Sequence, residues 1–297
     1  MSEQLGFSKI RVKSPYPLQD LTGLTITNSF SDHGTVVITG IIPENERDRC
    51  IKEATANDPI EIYEIKETGE GVLLFSGVMT CITIDTELDM NYLTIEGKTW
   101  TTKLDIKLKD RSFQDKNATY SDIITRVLAD YPSTDFRLIP EDRPSGKLLV
   151  QYRETDWTFL RRLATHFNTI LIPDALGSFP RFWLGLPHFS PKELEEIHDY
   201  KSLSDGTAYY HALSHGFKVQ DWNFMKYEIT TGTRLRVGDR VTFLDRPCIV
   251  EKTVATFEKS LFQYTHTLCR PLQQRLLLHA GKRRKHLPQL PRGRRSL

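Results

Sequence analysis

Between residues 34 and 100 apolar and polar positions alternate in short runs. GTVVITG (34–40), PIEIYEIKE (59–67), GVLLFSGVMTCITIDTE (71–87) and NYLTIEGKTW (91–100) carry β-branched and aromatic residues at a period of two, separated by Gly, Asn and Asp. That period puts every second side chain on one face, so each run predicts a β-strand. In IEIYEIK the apolar positions Ile60, Ile62 and Ile65 slip by one residue, as a bulge requires. KETGEG then predicts a hairpin turn into Val72 and Leu74. Short, evenly spaced strands of this kind predict an antiparallel barrel over residues 1–110.

The period then changes. In NATYSDIITRVLADYP (117–132), Ile123, Ile124, Val127, Leu128 and Tyr131 share one helical face, Thr119 is placed as N-cap with Asp122 in the first turn, and Pro132 stops the helix. KLLVQYR (147–153) reads as a strand. Thr155 or Asp156 caps a second helix carrying Trp157, Leu160, Leu163, Ala164 and Phe167 at helical spacing. Asp156 also stands where a carboxylate gains from the helix dipole. TILIPD (169–174) and RFWLGLP (181–187) return to strand, and PKELEEIH (191–198) predicts one short helix. YYHALSHGFKVQDW (209–222), NFMKYEITTG (223–232) and the run from Arg240 to Arg270 read as strands again, with RVGDRV (236–241) as a tight turn. The expected fold class is α+β, mostly β: an antiparallel β-barrel at 1–110, a small α/β insert at 111–190 and a second β-rich unit at 191–270.

A chain of 297 residues has room for about two domains with sound cores. Its longest apolar runs, such as GVLLF and RLLLHA, fall far short of the ~20 residues that span a bilayer, so no membrane span is expected. The N-terminus lacks the apolar segment of a secretory signal, which predicts synthesis in the cytoplasm. Cys50, Cys81, Cys248 and Cys269 stand singly, a spacing that argues against a structural zinc site and a disulfide framework. The formal net charge of +2 hides an asymmetry: nine Lys and Arg and no acid lie in residues 270–297, leaving 31 basic against 38 acidic side chains, a net of −7, in the body. The basic tail, 271–297, is Pro-punctuated and aperiodic, and reads as disordered or partner-ordered. Its arginines also leave nucleic-acid contact open.

Candidate chemistry is sparse. His211 and His215 would face one way on a helix, as metal ligands do, but no HExxH glutamate lies between them and their segment reads as a strand. Three carboxylate pairs, Glu154 with Asp156, Glu195 with Glu196 and Asp85 with Glu87, meet the composition of a glycosidase pair. Helix capping accounts for the first and a polar helix face for the second. GxSxG, P-loop and GxGxxG signatures are missing. No catalytic residue, metal or cofactor is therefore expected. A tail-associated cell-wall hydrolase and a nucleic-acid binder using the tail stay as alternatives.

LVQYRETDWTFLRRLATHFN (149–168) resembles a motif of hub proteins in contractile injection machines: the phage baseplate hub, the late control protein D family and the hub portion of type VI secretion spike proteins (VgrG). YSDIITRVLADYP is similar to the helix these families carry ahead of the motif, and RVGDRVTF with IVEKTVATFEKSLFQYTHTL to their closing strands, so the likeness covers most of residues 1–269. It implies a structural role for Tyr152, Glu154, Asp156, Trp157, Phe159, Leu160, Arg161 and Leu163. The apolar members would lock the helix onto the sheet, and Glu154 with the arginines, Arg162 included, would form a polar support network. It further implies two tube-like barrels per chain and a homotrimer presenting six of them between a hexameric tail tube and a trimeric spike in a virion or phage-tail-like particle, with tape measure and baseplate proteins as further partners and no small-molecule substrate. VgrG proteins continue into a further barrel and a β-helical needle, so either the needle is a separate protein or the sequence is incomplete; a lysozyme insert is likewise missing, which would assign any wall-cutting activity to a partner.

Overall fold

In the computed structural model the alternating runs form strands that pair antiparallel. The structure describes residues 10–271 apart from 67, 195, 196, 198, 215–218, 259 and 260. In chain order these are β1 (Ile10–Lys13), β2 (Asp20–Ser29), β3 (Asp32–Ile42), α1 (Arg47–Glu53), β4 (Pro59–Ile65), β5 (Gly71–Glu87) and β6 (Met90–Thr99). The middle section holds β7 (Leu108–Phe113), α2 (Tyr120–Leu128), β8 (Asp135–Leu138), β9 (Leu149–Thr155), α3 (Asp156–His166), β10 (Leu171–Pro173) and β11 (Arg181–Leu184). The last section holds β12 (Tyr200–Ser204), α4 (Gly206–Ser214), β13 (Met225–Thr231), β14 (Arg240–Phe243), β15 (Arg246–Glu258) and β16 (Leu261–Cys269).

The first and last sections form a single 11-stranded sheet in the order β1-β4-β5-β6-β3-β2-β15-β16-β13-β12, with β14 on β15. The two strand sets meet where β2 pairs with β15, from Ser29 opposite Lys252 to Gly23 opposite Glu258. The bulge expected in β4 is present, the register shifting between Ile62 and Tyr63. Strands β5 and β6 approach so closely that a Cβ on Gly77 would fall 2.1 Å from the Lys98 carbonyl oxygen, which admits only glycine there. Val36, Ile38, Ile60, Ile62, Leu93 and Ile95 make the first core, and Phe257 and Tyr264 from the last section complete it. Tyr227, Ile229, Val241, Phe243, Val250 and Leu268 make a second core. The mostly β, α+β class follows directly from this architecture.

The middle section carries its own sheets, β7 with β9 and β10-β11-β8, and its own core of Ile123, Ile124, Val127, Phe159, Leu160, Leu163 and Phe182. Thr119 caps α2 in a reciprocal capping box with Asp122. Phe30, Ile170, Ile172, Ile249 and Cys269 pack together and bind the insert to the middle of the large sheet, where the first and last sections meet.

Two expected elements differ. YYHALSHGFKVQDW is not a strand: Gly206–Ser214 is helical, with Asp205 accepting from the Ala208 amide at 2.9 Å as an N-cap does, and Ala212 packs on Phe224. PKELEEIH does not form the expected helix in its described residues 191–194 and 197. Lys192 instead bridges to Val241 and its amide donates to the Arg240 carbonyl at 2.9 Å. An isolated eight-residue helix is marginal by itself, so pairing to the edge of β14 wins. Residues 272–297, and with them nearly all of the basic tail, lie outside the described residues, as do Glu195, Glu196 and His215.

Candidate functional site

The β7–β9 ribbon and α3 build the one polar cluster that the motif contributes. Opposite the β7 step from Lys109 to Arg111, β9 takes an extra residue, because Glu154 pairs with Lys109 and Gln151 with Arg111. Arg153 absorbs the bulge with φ at 46°, and its amide donates to Asp110 at 2.9 Å. Alternation from Leu149 points Gln151 inward and Tyr152 outward, and the bulge after Tyr152 then shifts Glu154 to a half-buried position where Arg162 reaches it.

Thr155, not Asp156, is the N-cap of α3; its hydroxyl accepts from the Thr158 amide at 3.2 Å. Asp156 is instead fully buried. Its carboxylate accepts from Arg111, from Gln151 Nε2 at 2.7 Å and from Tyr131 Oη at 2.6 Å. Arg111 also donates to Gln151 Oε1 at 2.8 Å and to Asp130 at 2.6 Å, and Lys109 reaches Asp130 at 3.0 Å. Burial opposes the Arg111 charge, but its hydrogen bond and attraction to Asp156 outweigh that and raise its pKa. Burial, followed by the bond to Asp156, raises the Tyr131 pKa. Both oxygens of the buried carboxylate are thus hydrogen-bonded, which ties β7, β9, α3 and the turn after α2 together. Glu154 is held by Arg162, which also donates to the Val150 carbonyl at 2.6 Å and lies over the Phe159 ring.

The apolar members behave as expected with one exception. Trp157, Phe159, Leu160 and Leu163 are buried in the insert core. Trp157 also donates through Nε1 to the Ser31 carbonyl at 3.3 Å and stacks on His33 with centroids 4.6 Å apart, tying α3 to the β2–β3 turn. Tyr152 does not lock the helix: it is 71% exposed. With Leu108, Leu148 and Val150, also exposed, it lies on the outer side of the ribbon, without cover from the chain's own core. Arg161 is 48% exposed and only approaches Asp32 at 3.9 Å, so Arg162 is the arginine of the support network.

His33 faces Thr101 at 2.8 Å and lies 3.5 Å from Asp105, outside hydrogen-bonding geometry. His266 is fully buried and donates from Nε2 to the Thr233 carbonyl at 3.0 Å. Burial pushes both pKa values below the ordinary 6.5, against the pull of Asp105 on His33 and of the Thr233 carbonyl on His266. The unfolded chain then takes up protons that the fold refuses, so stability is lost as pH falls below 6.5. Each histidine contributes up to about 1.4 kcal/mol per pH unit until its folded pKa is reached. Thermal melts from pH 7.5 to 5.5 should slope downward, and the double variant His33→Gln/His266→Gln should flatten that slope; an unchanged slope would count against both assignments.

The other candidates are not assembled into a site. Asp85 and Glu87 are exposed near the end of β5. His211 lies on α4 with its side chain outside the description, and among the described residues no group of three or more His, Cys, Asp or Glu side chains is placed to hold a metal. Among the described residues no helix is long and apolar enough to cross a membrane. Arg111, Asp130 and Tyr131 were missed as network members, because nothing in local spacing connects positions 19 to 45 residues apart.

Comparison with known proteins agrees with this geometry. Residues 58–167 match the family model of the phage tail baseplate hub (GPD), a span that ends at the last turn of α3. No curated protein matches the sequence. A 43 kDa tail protein of prophage MuSo2 from Shewanella oneidensis shares the fold with a TM-score of 0.66 at 13% identity, covering 89% of this chain and 97% of that one. A tail protein from Neisseria meningitidis MC58 gives 0.64 at 11% identity, covering 90% and 98%. An Escherichia coli type VI secretion component, described as structurally similar to bacteriophage T4 tail proteins, gives 0.64 at 14% identity, covering 88% and 76%. Over residues 58–167, about a third of the chain, the sequence is similar to the phage tail baseplate hub family, and the chain as a whole shares its fold with the tail proteins named above.

Proposed function

We propose that the chain is the hub of a phage tail or phage-tail-like contractile particle, and that it forms a homotrimer joining a sixfold tail tube to a threefold spike. The observation that carries this reading is the double strand set. One chain supplies two antiparallel sets fused side by side through β2 and β15, with two cores of which the first is completed by residues of the second set. Three such chains present six sets around a ring, which adapts a hexameric partner on one side to a trimeric partner on the other. On this reading the barrels span 1–110 and 191–270 and the insert 111–190, and the motif holds the insert against the ring. The exposed apolar face of the β7–β9 ribbon is consistent with a chain that completes its burial in an assembly.

The same reading makes binding rather than turnover the chemistry, with tube, spike, tape measure and baseplate proteins as partners. Glu154 and Asp156 are each engaged by an arginine, which favours support over hydrolysis. Nucleic-acid binding through the basic tail concerns residues that lie, save for Pro271, outside the described ones. Light scattering of the purified chain, alone and mixed with the tube and spike proteins encoded beside it, tests the assembly. Three chains of 34.3 kDa predict a particle of about 103 kDa, or a larger complex of that stoichiometry with partners. A chain that stays monomeric with every such partner present would overturn the proposal.

A further inference from the structure

A cavity of about 90 Å³ opens where the three sections meet, bounded by β2, β5, β10, β11, β15, β16 and the segment 234–237. One water needs roughly 10–15 Å³ of such volume, so there is room for a molecule of about six non-hydrogen atoms. Most of the wall is apolar, with Ile26, Leu74, Ile172, Trp183 and Phe189 on it. Asn28, Asp174, Arg234, Arg236, Thr253 and Tyr264 break that wall. Tyr264 is only 7% exposed, and its hydroxyl has no hydrogen-bond partner. Arg234 donates to the Leu73 carbonyl at 3.0 Å, and among the described residues no carboxylate lies within ion-pairing distance of it. Burial lowers its pKa, and the two groups act on each other electrostatically.

A buried phenol with nothing to bind is costly, and such groups in natural folds ordinarily meet a partner; the half-buried Arg234 guanidinium beside it holds only the Leu73 carbonyl among the described residues. Of the other charged residues on the wall, Arg236 is exposed. Asp174 is held by Arg181 and by the Leu176 amide, and Glu64 acts on Arg234 and Tyr264 only from beyond contact distance. These two carboxylates disfavour a dianion such as phosphate. A singly charged group on an apolar body suits the donors and the wall together.

We propose that this cavity binds a small organic carboxylate, its oxygens taking hydrogen bonds from the Arg234 guanidinium and the Tyr264 hydroxyl while its carbon body rests against Ile172, Trp183 and Phe189. The carboxylate belongs either to a free short-chain acid or to the end of a peptide chain. The proposal is independent of the hub reading, since all its residues belong to one chain.

The test uses the full chain and isothermal titration with butyrate, inorganic phosphate, and a short peptide ending in valine with a free or an amidated carboxyl. Saturable binding of butyrate, or of the free-ended peptide alone, is expected, and identifies the source as a free acid or a chain end. Tyr264→Phe removes an unpartnered hydroxyl, so it should fold as wild type and weaken binding about fivefold, the equivalent of one hydrogen bond. Arg234→Gln should weaken it by more than about tenfold, as loss of a charged donor does. No saturable binding of either carboxylate overturns the proposal, as does phosphate binding equally well, or affinity unchanged in a folded Tyr264→Phe protein.

Discussion

Asp156→Ala should destabilise the protein by about 3–5 kcal/mol, the usual cost of removing one partner from a buried ion pair. Asp156 is fully buried and accepts from three side chains. Its removal leaves Arg111 charged and largely enclosed, with Gln151 Nε2 and the Tyr131 hydroxyl each losing an acceptor. Asp156→Asn should recover only a part, because its amide NH₂ would face the Arg111 donors. Urea denaturation followed by circular dichroism measures both. An alanine variant within about 1 kcal/mol of wild type would mean that the network contributes no more than one ordinary hydrogen bond.

The next largest effect is expected at Trp157. Truncating a buried Trp to Ala costs about 3–5 kcal/mol through lost transfer energy and the cavity left behind. Here it also removes the bond to the Ser31 carbonyl, the stacking on His33 and the edge contact with Phe182. Leu160→Ala, within the same core, should cost about 2–5 kcal/mol. Tyr152→Ala is the control: at 71% exposure it should change the stability of the isolated chain by less than about 0.5 kcal/mol. Near-wild-type melting of both Trp157→Ala and Leu160→Ala would show that the buried face of α3 is misassigned.

Local pattern carried much of the fold. Alternation placed β4, β5 and β6, the slip after Ile62 marked a real bulge, and Thr119 with Asp122 marked the start of α2, because each signal is written within a few residues of its effect. The buried face of α3 was legible for the same reason. Residues 209–222 misled, since a short apolar run suits strand and helix alike; Asp205 ahead of Gly206 was the cap signal that would have decided for a helix. The support network was half legible. Its acidic members sit together in the motif, but Arg111 reaches Asp156 across 45 residues and Tyr131 across 25, distances over which sequence spacing has no geometric meaning.

By itself, then, the sequence determined which segments alternate, where helices begin and which faces are apolar, because strand and helix periods are properties of the local backbone. Only the tertiary structure decided the rest. It joined the two strand sets through β2 and β15, which lie more than 200 residues apart, and left the outer side of the β7–β9 ribbon, Tyr152 included, uncovered. It also brought Arg234 and Tyr264 to one cavity wall. Each of these depends on which surfaces meet, and that is settled by the burial of whole faces rather than by any neighbouring residue.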